Sequence, residues 1–204
     1  MRHLVITIGC EYGAKGNAIG RKIAEDLNIK FYNRDLVDEI IEEVGIPKEI
    51  MEKVEEGGTI AGKGAEGDVR GSFSKYADLT DRAIHVQKQI IRKLAEKESC
   101  VIIGRCADYI LRDKTNVLRL YVHAPFDYCV QKTMEVHGNL SADEAARYIR
   151  KVDRRRAEYY RAFTGRSWKD ADNYDLCLNS SDLGWDKCVA LAKAYLQIKM
   201  PGSV

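Results

Sequence analysis

The chain has 204 residues, 45% hydrophobic and 31% charged, which supports one good-sized core and excludes a chain disordered as a whole. Its 33 basic and 31 acidic residues leave a formal net charge of +2, so no global field marks it as a binder of nucleic acid polymers. Cys10, Cys100, Cys106, Cys129, Cys177 and Cys188 are scattered, with no C-x-x-C pair and no histidines at zinc spacing, which points to free thiols. The apolar run ahead of Gly9 is too short for a signal peptide and no run approaches a membrane span, so a cytoplasmic protein without a membrane partner is expected. Oligomeric state is left open.

Leu4-Val5-Ile6-Thr7-Ile8 is β-branched and short, the pattern of a buried strand. Ile19, Ile23 and Leu27 then recur at intervals of four, the spacing of one helix face. Gly9, Gly13, Gly16 and Gly20 punctuate the join. Glycines let the backbone approach a ligand closely, and the helix that follows aims unpaired N–H groups and a positive dipole end into the loop. Such a loop is an anion site, most often for phosphate. A full Walker A motif needs Gly-Lys followed by Ser or Thr, whereas this chain has Ala14-Lys15-Gly16-Asn17. The lysine comes one place early and no hydroxyl follows. A turn that merely joins strand to helix is the alternative.

Lys30-Phe31-Tyr32 is a second short strand, after which Asn33 or Asp35 can cap a helix bearing Leu36, Val37, Ile40, Ile41 and Val44. Gly45 ends it, and Pro47 suits the first turn of another helix through Glu56. Residues 57–75 carry Gly57, Gly58, Gly62, Gly64, Gly67 and Gly71 among small and charged residues, the composition of a mobile loop. Helical spacing returns over 78–97, and Cys100-Val101-Ile102-Ile103 is a buried strand with Gly104-Arg105 at its carboxyl end. Val117–Val122 is a further strand, leading through Ala124-Pro125 into a helix. Ser141-Ala142-Asp143-Glu144 has the form of a capping box and opens a long helix crowded with Arg150, Lys151, Arg154, Arg155, Arg156 and Arg161. Tyr174–Leu178 and a helix around Trp185, Val189 and Leu196 close one domain over 1–200, with a polar tail at 201–204.

Strands alternating with helices at this spacing predict an α/β fold: a three-layer α/β/α sandwich around a parallel, about five-stranded sheet. Ligands of such sheets bind off the carboxyl ends of the strands. The segments from Gly9 to Gly16, Asn33 to Asp35 and Gly104-Arg105 all follow predicted strands and should therefore meet on one rim.

Taken together, Glu11-Tyr12-Gly13 with Gly16 and Gly20, Asn33-Arg34-Asp35, Ile103-Gly104-Arg105 with Ala107-Asp108, the arginine-rich stretch from Asp153 to Arg156, and Tyr174-Asp175-Leu176 form an ordered set. In that order and spacing the chain resembles the cytidylate kinase-like family, a branch of the P-loop nucleoside monophosphate kinases, over nearly its whole length. The resemblance implies a P-loop nucleoside kinase-like core with a helical lid around 150–168. It also implies that Glu11, Tyr12, Gly13, Ala14, Lys15, Gly16 and Asn17 hold the phosphates of ATP with Mg²⁺. Gly104 and Arg105, with Asp35 and Asp108, would grip a small acceptor such as CMP or dCMP. Lys15, Arg105 and the lid residues Arg154 and Arg155 would assist the transfer.

Phosphoryl transfer asks mainly for positioning and neutralised charge, which a glycine cradle, magnesium and arginines supply. The planar fork of Arg105 suits an acceptor phosphate. Successive helical positions diverge by about 100°, so only one or two of the lid arginines can face one ligand. Asp35 stands where an N-cap is expected. Cys106 follows Gly104-Arg105 where cytidylate kinases carry an aspartate, and a thiol accepts poorly from a cytosine amino group. Two other readings therefore stand beside the kinase: a nucleotide-sensing module with little transfer, and a kinase of a non-nucleotide substrate.

Overall fold

The computed structural model describes residues 3–47, 49–51 and 72–202, with backbone alone for 72–80. The strands are β1 (Val5–Cys10), β2 (Lys30–Tyr32), β3 (Cys100–Ile103), β4 (Val117–His123) and β5 (Leu176–Asn179). The helices between and after them are α1 (Gly16–Asp26), α2 (Arg34–Glu43), α3 (Ser72–Lys97), α4 (Ala107–Ile110), α5 (Phe126–His137), α6 (Ala142–Thr164) and α7 (Ser180–Lys199). All pairings are parallel, in the order β2-β3-β1-β4-β5. Val5 lies opposite both Cys100 and Val117, which centres β1 in the sheet. Every residue of β1 and β3 is buried, because helices cover both faces of a parallel sheet and leave no side for polar alternation.

Alternate strand residues feed two cores. Val5, Ile102 and Val117 pack with Val37 and Ile41 of α2, Ile90, Ile91 and Leu94 of α3, and Tyr159 and Tyr160 of α6. Ile6, Ile8, Leu118 and Leu120 pack on the other face with Ile19 and Ile23 of α1 and Val189, Ala192 and Leu196 of α7. The result is the expected three-layer sandwich. No helix among the described residues is long and apolar enough to cross a membrane.

Local signals fix the helix ends. Asn33, not Asp35, caps α2: its side chain accepts from the Leu36 amide at 2.9 Å, leaving Asp35 in the first turn. Ser141 and Glu144 complete the capping box of α6, and Gly165 ends that helix in a left-handed conformation with φ 73°. Of the helix expected from Pro47 to Glu56, residues 49–51 are helical, and residues 48 and 52–56 lie outside the described part. Of the glycine-rich loop expected over 57–75, residues 57–71 also lie outside it. The last four residues of that stretch are instead the opening turn of α3, which starts at Ser72.

Candidate active site

The carboxyl ends of β1 and β3, the start of α2 and the inner face of α6 enclose a cavity of about 580 Å³. This is the rim on which the three expected segments meet. Gly9, Cys10, Tyr12 and Asn17, at the two ends of the glycine loop after β1, border the cavity, whereas residues 13–16 between them, Lys15 included, do not line it. Gly13 has a φ of 84°, and a Cβ there would stand 2.7 Å from the Cys129 carbonyl, so only glycine fits against α5. Lys15 has a φ of 63° and is the N-cap residue of α1. Counted from Gly9, the residues run through four positions to Ala14-Lys15, the spacing of G-x-x-x-x-G-K. The lysine thus keeps its place between strand and helix. The departures from the motif are Ala14 for the second glycine and Gly16 for the hydroxyl residue. A Cβ on Gly16 would lie 2.3 Å from Cβ of Cys10, so that position has no room for serine or threonine.

The opposite wall is a strained turn. Gly104, Arg105 and Cys106 have successive φ values of 68°, 57° and 53°, the left-handed region that costs non-glycine residues free energy. Hydrogen bonds hold the turn there: Gln87 Nε2 donates to the Arg105 carbonyl at 2.9 Å, and the Tyr159 hydroxyl donates to Gln87 Oε1 at 2.9 Å. The Arg105 side chain is 2% exposed and pairs with Oδ2 of Asp38 from α2. Burial raises the Asp38 carboxyl above its ordinary range, opposed by the Arg105 charge. Oδ1 of Asp38 is buried and has no hydrogen-bond partner among the described residues. Burial, aided by repulsion from Arg105 and Arg156, pushes Arg34 down to about 10. Four arginines, Arg34, Arg105, Arg155 and Arg156, line this one cavity. Asp108 accepts from the Tyr160 hydroxyl at 2.6 Å, which ties α4 to α6, and burial raises its carboxyl.

From α6, Oδ1 of Asp153 accepts from the Tyr12 amide at 2.9 Å and Nη1 of Arg156 donates to the Cys10 carbonyl at 2.9 Å. The Arg156 guanidinium lies 5.7 Å from the Tyr12 ring centre, and Lys169 pairs with Glu11. Burial lifts the Asp153 carboxyl to about 6, against the Tyr12 amide and the charges of Arg156 and Lys169 and with the charge of Glu11. A folded pKa above the ordinary 3.8 means that the folded chain holds this proton more tightly than the unfolded one. Stability contributed by the protonated group is present at low pH and is lost as pH rises through about 6. Asp153→Asn should therefore stabilise the protein above about pH 7, by roughly 2 kcal/mol, and leave it unchanged below about pH 4. Denaturant titrations of both proteins across that range check it, and an equal shift at every pH would refute it.

The profile of the cytidylate kinase-like family matches residues 5–182. The chain belongs to the cytidylate kinase-like family. A cytidylate kinase of Methanopyrus kandleri is 23% identical over 202 residues, 95% of this chain and 93% of that one. A crystal structure of an uncharacterized protein from Eubacterium ventriosum shares 25% identity with a TM-score of 0.74, covering 96% of this chain and 99% of that one. A gluconokinase from Sinorhizobium meliloti, 14% identical, shares the fold with a TM-score of 0.54 over 97% of this chain and 93% of its own. The architecture is that of the P-loop kinases.

In this cytidylate kinase-like chain, Tyr12, Asn17, Asp35, Gly104, Arg105, Asp108 and Arg155 all line the cavity. Gly13, Ala14, Lys15 and Gly16 form the body of the loop, and Glu11 is turned to Lys169 and to the Ala124 amide, 3.4 Å away. Arg154 does not join them. Its side chain is 73% exposed and lies 3.9 Å from Glu158 on the outer face of α6, because its position diverges from the face that carries Asp153 and Arg156. Arg34, Asp38 and Arg156 also line the cavity, and Asp153 holds the Tyr12 amide beside it; the sequence alone assigns none of the four. Their signal is a polar residue within a buried helical stripe: Asp38 beside Val37 and Ile41, and Asp153 and Arg156 in line with Ile149 and Tyr160.

Proposed function

We propose that this protein is an ATP-dependent kinase that transfers a phosphoryl group to a nucleoside monophosphate, with CMP or dCMP the first candidate. The observation that carries the reading is the convergence of Arg34, Arg105 and Arg156 on one cavity beside the glycine loop. Guanidinium groups that repel one another in a buried space gain most from a multiply charged ligand, and their flat forks match phosphate oxygens. Arg105, oriented through Asp38 and by its left-handed backbone, would hold the acceptor phosphate. Lys15, at the head of α1, would face the donor phosphates across the loop.

Mg²⁺ is commonly held by one or two carboxylates together with substrate phosphates rather than by a protein cage. Asn17 and Asp35, which both border the cavity, are a donor set that fits it. When bound, the ion would neutralise charge between donor phosphates. The residues of α6 and Trp168 would exclude water from the transfer. A nucleotide-sensing role is the second reading, favoured by Gly16, which leaves the helix start without a hydroxyl.

The test offers the purified protein ATP, Mg²⁺ and each nucleoside monophosphate in turn and follows diphosphate formation. Rapid turnover with CMP or dCMP is the expected result. ATP binding without transfer to any acceptor would favour the sensing role, turnover confined to a non-nucleotide acceptor would replace the acceptor assignment, and failure to bind ATP would refute the reading.

A further inference from the structure

We infer that Asp153 is a resident anion of the glycine loop: it holds the backbone amide that a donor phosphate takes, and a polyphosphate enters by exchange with it. The inference rests on the phosphate-loop reading above. Tyr12 sits in the loop between β1 and α1, and its N–H points at a carboxylate 141 positions away in sequence, at 2.9 Å. Glycine-rich loops of this kind bind anionic oxygens through such amides. An ionised carboxylate is the nearest side-chain equivalent of a phosphate oxygen, and the hydrogen bond it receives is charge-assisted.

Two further contacts end on the same short segment. Arg156, one turn after Asp153 on α6, donates to the Cys10 carbonyl, and Lys169, just beyond the lid, pairs with Glu11. The Tyr12 ring also packs edge-on against Tyr148 of α6, 5.0 Å between ring centres, and that packing can persist. The backbone groups of Cys10 and Tyr12 and the side chain of Glu11 are fastened by charges and polar atoms, which an arriving anion can replace. The exchange favours the ligand, since a carboxylate returning to water recovers its hydration while a polyphosphate meets several donors at once. Asp153 Oδ1 also lies 3.8 Å from Nη1 of Arg156, so releasing the carboxylate removes this ion pair and makes the guanidinium available to the charge that displaced it. Arrival of the donor and re-aiming of a lid arginine become one event. Without a ligand the occupied loop lowers apparent affinity by the fraction of molecules in which it is open.

The experiment titrates inorganic tripolyphosphate into wild type, Asp153→Ala and the near-isosteric Asp153→Asn by calorimetry at neutral pH. Amide hydrogen exchange of the loop is followed in the same ligand-free proteins. Asp153→Ala should bind about tenfold more tightly than wild type, with Asp153→Asn between them, the size expected for freeing one charge-assisted hydrogen bond. The Tyr12 amide should exchange faster in Asp153→Ala while the β1 amides keep their protection. If wild type binds and both variants bind no more tightly, or the Tyr12 amide is equally protected in all, the exchange is refuted and the phosphate loop stands. If none of the three binds tripolyphosphate, the phosphate-loop reading falls and the exchange with it.

Discussion

Arg105→Ala is expected to lower kcat/KM for phosphoryl transfer by about a hundredfold to a thousandfold, the loss typical when one donor to a developing charge is removed. It should also cost about 3 kcal/mol of stability, because truncating one member of a buried ion pair leaves the other charge unpaired. Arg105 is 2% exposed and its partner Asp38 is 10% exposed, so Asp38 could not recover by turning to water. The two effects have separate causes and can be taken apart. Adding Asp38→Asn to Arg105→Ala removes the stranded charge and should restore most of the stability while restoring none of the activity. Steady-state kinetics with the best acceptor and urea unfolding of the single and double variants check this. A double variant as unstable as Arg105→Ala would show that the pair is not the source of the loss.

Gly16→Ser, which would supply the hydroxyl that the loop lacks, should destabilise the protein by about 3 kcal/mol and give no gain in transfer. Its Cβ would sit 2.3 Å from Cβ and 2.7 Å from Sγ of Cys10, a strand residue 9% exposed and paired with Val122 of β4. Neither partner is the free end of a flexible chain, so backbone must shift. Cys10→Gly clears both atoms at about 1 kcal/mol for glycine within a strand. The double variant Cys10→Gly/Gly16→Ser should then be more stable than the sum of the two changes predicts, by at least about 1 kcal/mol. Thermal or denaturant unfolding of the four proteins closes this cycle, and strict additivity would refute the contact.

Much of this architecture was legible before any coordinate. Buried parallel strands write their apolar runs plainly, and Gly104-Arg105 could be placed at a strand end because Cys100–Ile103 leaves little room for another assignment. The glycine loop was legible for the same reason, although its lysine could be placed in register only once Gly9 was seen near the end of β1 and Lys15 at the head of α1. The site residues contributed by helices were harder. Asp38 reads as an ordinary polar residue unless it is noticed that it falls on the stripe of Val37 and Ile41. Arg154, Arg155 and Arg156 are equivalent in sequence, and only the rotation of α6 about its axis, fixed by Ala145, Ile149 and Tyr160 in the cores, separates the outward residue from the inward ones. Helix rotation is a property of packing, and local sequence does not carry it.

The left-handed turn at Gly104, Arg105 and Cys106 has a consequence for how this protein can change. A backbone that carries two non-glycine residues in that region gives up about 1–3 kcal/mol at each, which the two cores must supply. Glycine at position 106 would relax the turn there, yet it would loosen the chain that aims the neighbouring guanidinium at the cavity, while glycine at 105 would strand Asp38 in the interior. Selection for durability and selection for aim therefore pull position 106 in opposite directions. A lineage under heat stress would have to look elsewhere in the molecule for its gains.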